Sequence, residues 1–328
     1  MARVGKADNM YFTGFADEAA DTLDDQIKVT KALGWQNIES RNVQVEGFPK
    51  GMIHDISDEA FERVAEKLEA VGVRINCFGS AIANWGKKID EPMDSSLAEV
   101  RRSIPRMQRL GVKLVRIMSF AVRDGEDQME QERFRRVKMI HRMFADAGLT
   151  AVHENCMNYG GMGWPFTLKL IENVPGLKLV FDTGNPVFSD DHGKPKPWPK
   201  QSSWEFYSRV REHVAYIHIK DGCWDAQNKK NVYSYPGEGH GDVRRIVGDL
   251  LSRGYDGGIS IEPHLGKVFH DQASGHSLNA EQIYIEYGRR MMKMVEDIRA
   301  ELSPKMNIPH VYSPSPENTR LSNAQRYS

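Results

Sequence analysis

Four acidic or imidazole side chains each stand at the end of a short apolar run, and their types and spacing suggest shared chemistry. The four residues are Glu154, Asp182, His218 and Glu262. Each run is typical of a buried strand whose last residues turn abruptly polar. Burying an unpaired charge is costly or shifts its pKa. We therefore expect the four side chains to share one partner, most simply a divalent cation.

The donor set indicates which cation this is. Three carboxylates and one imidazole make an oxygen-rich site, which favours Mn²⁺, Mg²⁺ or Co²⁺ over Zn²⁺. Such a site also leaves positions open for two substrate oxygens. Taken singly, a carboxylate at a strand end is more often a helix cap or an ion-pair partner, and a lone histidine is more often a core residue. Their joint occurrence at four consecutive strand ends favours one metal site.

The elements that must position these residues follow a weak repeat of amphipathic helix, glycine and apolar strand. The glycines are Gly34, Gly72, Gly111 and Gly148, with related patterns before the strands that end at Asp182 and Glu262. Glycine after a helix is expected because that position commonly needs a left-handed backbone. Eight alternating strand and helix units predict parallel pairing in a single (β/α)₈ TIM barrel of the α/β class. A doubly wound sheet is disfavoured because no Gly-x-Gly-x-x-Gly follows the first strand.

The barrel geometry predicts where the four side chains meet. They end strands five to eight, and neighbouring strands lie only about 4.8 Å apart. Catalytic groups of such barrels come from the carboxyl ends of strands. We therefore expect one catalytic domain over residues 1–302, with its site on one side of the barrel mouth. A polar tail over residues 303–328 is expected to be disordered, or else to lie against a neighbouring subunit.

Five motifs, in this order, resemble those of the sugar phosphate isomerase/epimerase superfamily, whose members are xylose isomerase-like TIM barrels. The motifs are His153-Glu154-Asn155, Phe181-Asp182-Thr183-Gly184-Asn185, His218-Ile219-Lys220-Asp221, Pro236-Gly237-Glu238-Gly239-His240-Gly241-Asp242 and Ile261-Glu262. The resemblance spans about Tyr11 to Ala300. It implies that the four residues named above hold the metal and that Glu154 and Glu262 are also the catalytic acid/base pair.

The chemistry implied is proton abstraction next to a carbonyl. A cation that chelates a carbonyl and an adjacent hydroxyl stabilises an enediolate, so one carboxylate can remove the α-proton and the other can return it. The leading prediction is a metal-dependent sugar isomerase or epimerase. The alternative is a lyase or dehydratase on a keto-sugar, similar to inosose dehydratase or to the catalytic subunit of a 3-keto-glycoside deglycosidase.

Further candidate residues surround the predicted mouth. His264 lies two residues past Glu262 and is a candidate second base, or else a loop histidine. The candidates for substrate binding are Arg41, Trp85, Trp164, Lys220 and His240. Two of them have plainer explanations, since Arg41 and Glu39 can neutralise each other and Lys220 can pair with Asp221. The loop tryptophans cover either a sugar face or neighbouring loops and subunits.

Composition and residue types exclude several other classes of function. The net charge of −1 argues against nucleic acid and anionic membranes as partners. An endonuclease IV-like repair enzyme is disfavoured, because such a site needs more histidines and Asn185 stands where one of them is expected. A non-catalytic barrel is disfavoured because no ligand type is missing. We expect a cytoplasmic protein for three reasons. The three cysteines lack the spacing of a disulfide or metal site, the first residues hold no apolar leader, and no stretch reaches about 20 apolar residues. The resemblance implies a homo-oligomer that acts on a small sugar or keto-sugar.

Overall fold

Eight parallel strands form one sheet that curves into a barrel. The computed structural model describes residues 9–125, 127–266 and 280–306. The strands are β1 (Tyr11–Gly14), β2 (Asn37–Ser40), β3 (Arg74–Phe78), β4 (Leu114–Ile117), β5 (Thr150–Glu154), β6 (Lys178–Asp182), β7 (Val214–Ile219) and β8 (Gly258–Ile261). They pair in the order β1-β8-β7-β6-β5-β4-β3-β2. A parallel bridge between Phe15 and Glu39 joins the two ends, which confirms the predicted (β/α)₈ barrel.

Within the described ranges, eight helices of eight or more residues surround the strands. They are α1 (Leu23–Ala32), α2 (Asp58–Val71), α3 (Asp94–Leu110), α4 (Glu130–Asp146), α5 (Trp164–Asn173), α6 (Ser203–Val210), α7 (Val243–Ser252) and α8 (Ala280–Met306). The hydroxyl of Ser57 caps the start of α2 by accepting the Ala60 amide at 3.2 Å. At the other end of α2, Gly72 adopts φ +70°, the left-handed conformation that glycine favours. The helix-glycine-strand repeat thus has its expected physical origin.

The last helix is longer than the sequence predicts. It runs to Met306, into the predicted tail over residues 303–328, and the Ser303 hydroxyl donates to the Arg299 carbonyl at 2.8 Å inside it. The rest of the predicted tail, residues 307–328, lies outside the described residues. Among the described helices, none is both long and apolar enough to cross a membrane.

Two apolar layers hold the barrel together. The larger layer lies between the sheet and the helices. A smaller cluster fills the barrel interior and consists of Cys77, Val152, Val180 and Tyr216. Side chains two residues apart on a strand share a face, so Glu154, Asp182 and His218 project inward one layer above the last three of these residues. The apolar packing therefore directs the polar side chains to the barrel mouth.

Extra elements cover that mouth at the carboxyl ends of the strands. A two-stranded antiparallel ladder follows β7, pairing Gly222–Asp225 with Lys230–Tyr233. A shorter ladder pairs Asn42–Val43 with Gly51–Met52 after β2. The segment between β6 and α6 contains a one-turn helix, Asn185–Phe188, and an antiparallel bridge from Asp190 to Lys200. These loops restrict access to the four inward-facing polar residues.

Candidate active site

The four predicted ligands converge at the mouth of the barrel. One ligand atom from each of Glu154, Asp182, His218 and Glu262 lies within 4.8 Å of the other three. All four side chains are buried. The first three end or nearly end β5, β6 and β7, and Glu262 directly follows β8. Residues far apart in sequence thus form one compact group.

Local hydrogen bonds fix the direction of the Asp182 carboxylate. Its Oδ1 accepts the amide N–H of Gly184 at 2.8 Å and that of Asn185 at 2.7 Å. The Asn155 side chain clamps the Asp182 backbone by accepting its N–H at 2.7 Å and donating to its carbonyl at 3.0 Å. Oδ2 is left facing the other three residues. Burial, partly offset by Lys220, raises the pKa of Asp182 to about 6.

Two carboxylates hold the His218 ring. Its Nε2 lies 3.0 Å from Glu39 Oε2, and its Nδ1 lies 2.9 Å from Glu154 Oε1. Burial alone would lower the pKa of His218, but Glu39 and Glu154 raise it to about 10. Glu39 is itself held by the hydroxyls of Tyr216 at 2.8 Å and Ser260 at 2.6 Å. The ring therefore has one fixed orientation, with Nδ1 toward the cluster.

Arg116, from β4, compensates the negative charge of the Glu154 carboxylate. Its Nη1 lies 3.2 Å from Glu154 Oε2, and its Nη2 donates to the carbonyls of Gly79 at 3.2 Å and Ser80 at 3.3 Å. Burial would raise the pKa of Glu154, but Arg116 and His218 lower it to about 2. Glu154 is consequently a carboxylate at neutral pH, which both a metal ligand and a general base require.

Three cationic or imidazole groups surround Glu262. Arg41 Nη1 lies 3.1 Å from its Oε1, His264 Nε2 lies 3.2 Å from the same oxygen, and Lys220 Nζ lies 3.0 Å from Oε2. Burial opposes ionisation, yet Lys220 and His264 hold the pKa of Glu262 well below its ordinary value. Both catalytic candidates, Glu154 and Glu262, are therefore ionised.

Lys220 lies between two of the predicted ligands. Its Nζ is 3.2 Å from Asp182 Oδ2 and donates to Asn185 Oδ1 at 3.1 Å. The chain passes close by at Gly184, where a Cβ atom would lie 2.7 Å from Lys220 Cγ. Glycine at this position thus lets the lysine reach the cluster.

The donor atoms fit a divalent cation. Asp182 Oδ2 and Glu262 Oε2 are buried and make no hydrogen bond, although Lys220 Nζ lies near both. Carboxylates also outnumber the permanent cations around the site. The buried carboxylates are Asp17, Glu18, Glu39, Glu154, Asp182 and Glu262, and the buried cations are Arg41, Arg116 and Lys220. This excess of negative charge is what a bound cation would reduce.

A cavity of about 80 Å³ opens directly above the cluster. The chemical groups that line it include Glu154, Glu262, Lys220, His264 and Arg116, and its aromatic lining is Trp85, Phe188 and Tyr233. The ring of Tyr233 lies against that of His264, with centroids 5.0 Å apart. Both glutamates are therefore reachable from the cavity, while His218 lies deeper.

Two of the expected ion pairs are wrong. Arg41 pairs with Asp17, Glu18 and Glu262, because the chain after β1 brings two carboxylates to its guanidinium, while Glu39 reaches across to His218. Lys220 faces Asp182 and Glu262 instead of its neighbour Asp221.

Asp221 has a different set of partners. Its carboxylate accepts the amides of Gly222, Gly237, Gly239 and Gly241. Successive side chains on an extended segment point in opposite directions, so Lys220 and Asp221 serve separate structures. These four glycine amides are already occupied by Asp221 and are therefore not available to bind a substrate phosphate.

Two predicted substrate contacts lie away from the cavity. Trp164 begins α5 and packs beneath the Arg209 guanidinium, 5.0 Å from the ring centroid. His240 is exposed and lines a separate groove beside α7. In contrast, Trp85 and Lys220 line the cavity, and Arg41 acts beneath it through Glu262.

Sequence reasoning missed four residues that shape the site. They are Asp17, Glu18, Glu39 as a partner of His218, and Arg116. Glu18 also accepts the His264 amide at 2.7 Å and forms a second group of ligand-type atoms with Glu262 and His264. Arg41 lies 3.2 Å from Glu18 and 3.1 Å from Glu262, so a cation already serves this second group. The signal available in the sequence was a charged residue inside an apolar run, as in Leu114-Val115-Arg116-Ile117.

A (β/α)₈ barrel with a buried cluster of three carboxylates and one histidine at its mouth defines the class of protein. The family model of xylose isomerase-like TIM barrels matches residues 27–286, and the chain belongs to this family. No functionally curated protein matches the chain in sequence.

Solved structures share the fold at low sequence identity. One is an L-ribulose 3-epimerase (14% identity, TM-score 0.59, covering 91% of this chain and 98% of that one). Another is a probable 3-DHS dehydratase from Bacillus anthracis (15%, 0.61, 86% and 98%). A third is a xylose isomerase-like TIM barrel protein from Mycobacterium smegmatis in complex with magnesium (16%, 0.62, 88% and 97%). At these identities the similarity shows the fold alone.

Proposed function

We propose that this protein is a divalent-metal-dependent isomerase or epimerase that removes and returns a proton next to the carbonyl of a sugar. The observation that carries the proposal is the convergence of Glu154, Asp182, His218 and Glu262 within 4.8 Å beneath a cavity. Epimerase-like and isomerase-like barrels among the structural neighbours support it. A magnesium complex among them supports a hard cation such as Mg²⁺ or Mn²⁺.

Each residue has a distinct part in this chemistry. A bound cation would polarise the substrate carbonyl and so make the adjacent C–H more acidic. Glu154 and Glu262 both line the cavity as carboxylates, so either can accept that proton and the other can deliver one. Lys220 is placed to donate a hydrogen bond to a substrate oxygen. Trp85, Phe188 and Tyr233 place aromatic rings around the cavity.

A second candidate function is a lyase or dehydratase on a keto-sugar. The observation that favours it is His264, which lines the cavity 3.2 Å from Glu262 and adds a third proton-transfer group. In a β-elimination, one glutamate takes the α-proton and a C=C bond forms. The C–O bond at the β-carbon then breaks, and His264 protonates the departing oxygen. A dehydratase also stands among the structural neighbours.

The proposal also covers the substrate class, the cellular location and the oligomeric state of the enzyme. A small sugar or keto-sugar substrate, a cytoplasmic location and a homo-oligomeric state follow from the composition and from the family resemblance. The near-neutral charge supports a small-molecule substrate over nucleic acid. DNA repair is further disfavoured by Asn185, whose side chain accepts from Lys220.

The first experiment measures the metal content of protein purified without chelator and then solvent-deuterium incorporation into ketoses, inososes and 3-keto-glycosides. We expect about one divalent ion per chain, bound by Glu154, Asp182, His218 and Glu262, and deuterium on a carbon next to a carbonyl. Loss of a hydroxyl or of a glycosidic oxygen would identify the lyase reaction. Protein without bound metal or without exchange into any of these substrates would contradict the proposal.

Glu262→Gln tests the role of that carboxylate. The variant keeps the side-chain shape but cannot accept a proton, so we expect exchange and turnover to fall by about 10³-fold, within the range of about 10²- to 10⁴-fold for loss of one positioned base. Glu99→Gln is the matched control, because Glu99 is also buried but pairs with Lys87 outside the site. Retained activity in Glu262→Gln would remove Glu262 from the mechanism.

A further inference from the structure

An open groove of about 1340 Å³ lies on the rim of the barrel and is lined by a different set of residues from the catalytic cavity. One wall is acidic and is formed by the segment after β4 and the start of α4. It carries Asp124, Asp127, Glu130 and Glu132. The other wall is basic and is formed by α5 and the segment between β6 and α6. It carries Lys169, Lys194 and Lys196. The groove therefore presents charges of opposite sign on its two sides.

Two of the acidic residues are compensated within the chain. Glu130 Oε1 lies 3.0 Å from Lys169 Nζ, which joins the two walls at one point. Glu132 pairs with Arg135 at 2.7 Å and with Arg136 at 2.6 Å along α4. These pairs hold the walls in place, so the charge offered to a partner comes from the other residues.

The remaining charges are available to a partner. Asp127 and Lys194 each have one partner of opposite charge in the chain, yet their side chains are 82% and 44% exposed. Asp124 and Lys196 are also exposed, and neither has an ion-pair partner within the described residues. Each wall therefore keeps a net charge that a bound surface of opposite sign would compensate.

Aromatic and aliphatic side chains also line the groove. The centroid of the Trp198 ring lies 3.9 Å from that of His192 and 4.5 Å from Lys196 Nζ. Phe166 is half-buried, and Val122 is 37% exposed. Exposed ion pairs contribute little on their own, whereas tryptophan often carries much of the binding energy at protein interfaces. The groove thus offers apolar contact area together with charge.

Both walls are held in shape by internal hydrogen bonds. On the acidic wall, the Gln128 side chain accepts the Arg123 amide at 3.0 Å and donates to the Arg123 carbonyl at 2.9 Å. On the basic wall, the Asp191 amide donates to the Pro199 carbonyl at 2.8 Å. Prolines stand at every second position over residues 195–199 and limit the freedom of the backbone. Little entropy is therefore lost when another surface binds these walls.

We propose that this groove is an interface between two copies of the chain, related by a two-fold axis that runs along the groove. Such a rotation places the acidic wall of each copy against the basic wall of the other, so every contact is made twice. A partner of a single charge sign would be attracted by one wall and repelled by the other. A second copy compensates both walls. The proposal does not depend on the reaction that the barrel catalyses.

The test reverses the charge of one wall at a time in the full chain. The double variant Lys194→Glu, Lys196→Glu makes the basic wall acidic, and the double variant Asp124→Lys, Asp127→Lys makes the acidic wall basic. Analytical ultracentrifugation measures the number of chains in each assembly. We expect the wild type to contain two chains or a multiple of two, and each variant half as many. Like charges across the interface should raise the dissociation constant by at least about 100-fold.

An equimolar mixture of the two double variants is the decisive sample. One variant then has two acidic walls and the other has two basic walls, so both contacts of a mixed pair join opposite charges. We expect the mixture to regain the assembly of the wild type, which a misfolded variant could not do. The matched control is Lys113→Glu, Lys178→Glu, which makes the same change of charge at exposed lysines beside the amino ends of β4 and β6. It should leave the assembly unchanged.

Three results would overturn the proposal. A monomeric wild type would mean that the two walls serve only each other within one chain. Double variants that keep the wild-type assembly would place the interface on another surface. Dissociation of both variants without recovery in the mixture would exclude the reciprocal pairing of acidic and basic walls. None of these results bears on the proposed reaction, which deuterium exchange tests separately.

Discussion

Glu39 Oε2 lies 3.0 Å from Nε2 of His218, although the two residues belong to β2 and β7 and are 179 positions apart. This contact leaves Nδ1 as the ring nitrogen that faces the other three ligands. A carboxylate on the far nitrogen of a ligand histidine fixes the ring and increases its basicity. Glu39 is therefore a positioning residue for the proposed metal site.

We expect Glu39→Gln to weaken binding of Mn²⁺ or Mg²⁺ by about 10- to 100-fold, as is common when such a partner is replaced. Glutamine still accepts a hydrogen bond from the ring but without the charge. The measurement is titration calorimetry of the metal into chelator-treated protein, with circular dichroism to show that the fold is kept.

Tyr216→Phe is the control for this change. It removes one of the hydroxyls that bind Glu39 and leaves the contact with His218 in place. We expect a smaller loss of affinity than in Glu39→Gln. Unchanged metal affinity in Glu39→Gln would mean that barrel packing alone orients the ring.

Lys220→Met should destabilise the metal-free protein strongly and the metal-loaded protein much less. Removing the ammonium leaves Asp182 and Glu262 buried with less compensation, which costs about 3–5 kcal/mol for a buried pair. A divalent cation at the same carboxylates restores the balance of charge. Chemical denaturation in chelator and in excess Mn²⁺ measures the free energy of unfolding of the metal-free and the metal-loaded protein.

Lys200→Met is the matched control, because Lys200 pairs with Asp190 near the surface, where an ion pair contributes about 1 kcal/mol or less. Its effect should not depend on the metal. If Lys220→Met loses the same free energy of unfolding with and without Mn²⁺, the cation does not bind at Asp182 and Glu262.

The sequence was sufficient for the barrel and for the four cluster residues, since both rest on local patterns. Alternating strands and helices, with glycine at Gly72 and Gly111, define the order of elements. Asp182 and Glu262 stand out because a charge after an apolar run is visible along the chain.

The partners of these residues were not predictable from spacing. Glu39 and Arg41 lie two positions apart on the same face, which favours pairing between them. The closed barrel instead places Glu39 across the interior from His218, and it places Arg41 beside Asp17 and Glu18. Contacts across a barrel depend on strand register and curvature, which no short window of sequence contains.

Asp221→Asn should loosen the glycine-rich loop over residues 234–242. Asparagine keeps one carbonyl oxygen but presents an NH₂ group where Gly237 and Gly239 now donate to Oδ2. Leaving these two donors without acceptors costs about 2–6 kcal/mol in total. Hydrogen–deuterium exchange in this segment should become faster. The control is Asp225→Asn, in the exposed turn of the neighbouring ladder. It should leave exchange over residues 234–242 unchanged. Slow exchange in Asp221→Asn would show that the loop is held by other contacts.

His54 should make the protein less stable in acid. It is fully buried, and neither ring nitrogen has a hydrogen bond, although Nε2 lies 3.6 Å from Asp55 Oδ2. Burial, only partly offset by Asp55, lowers the pKa of His54 from 6.5 to about 4. Below the unfolded-state pKa, the unfolded chain takes up a proton that the folded chain does not. Stability is therefore lost as the pH falls from 6.5 toward about 4.

His54→Gln removes this titration, so its free energy of unfolding should fall less than that of the wild type between about pH 7.5 and pH 5. The expected difference is about 2 kcal/mol, because at pH 5 the unfolded chain is mostly protonated at His54 while the folded chain is not. Urea denaturation at the two pH values measures it. His240→Gln is the control, because it replaces an exposed histidine instead of a buried one. Parallel pH profiles for the wild type and His54→Gln would mean that the pKa of His54 is the same in the folded and unfolded chains, which would contradict this prediction.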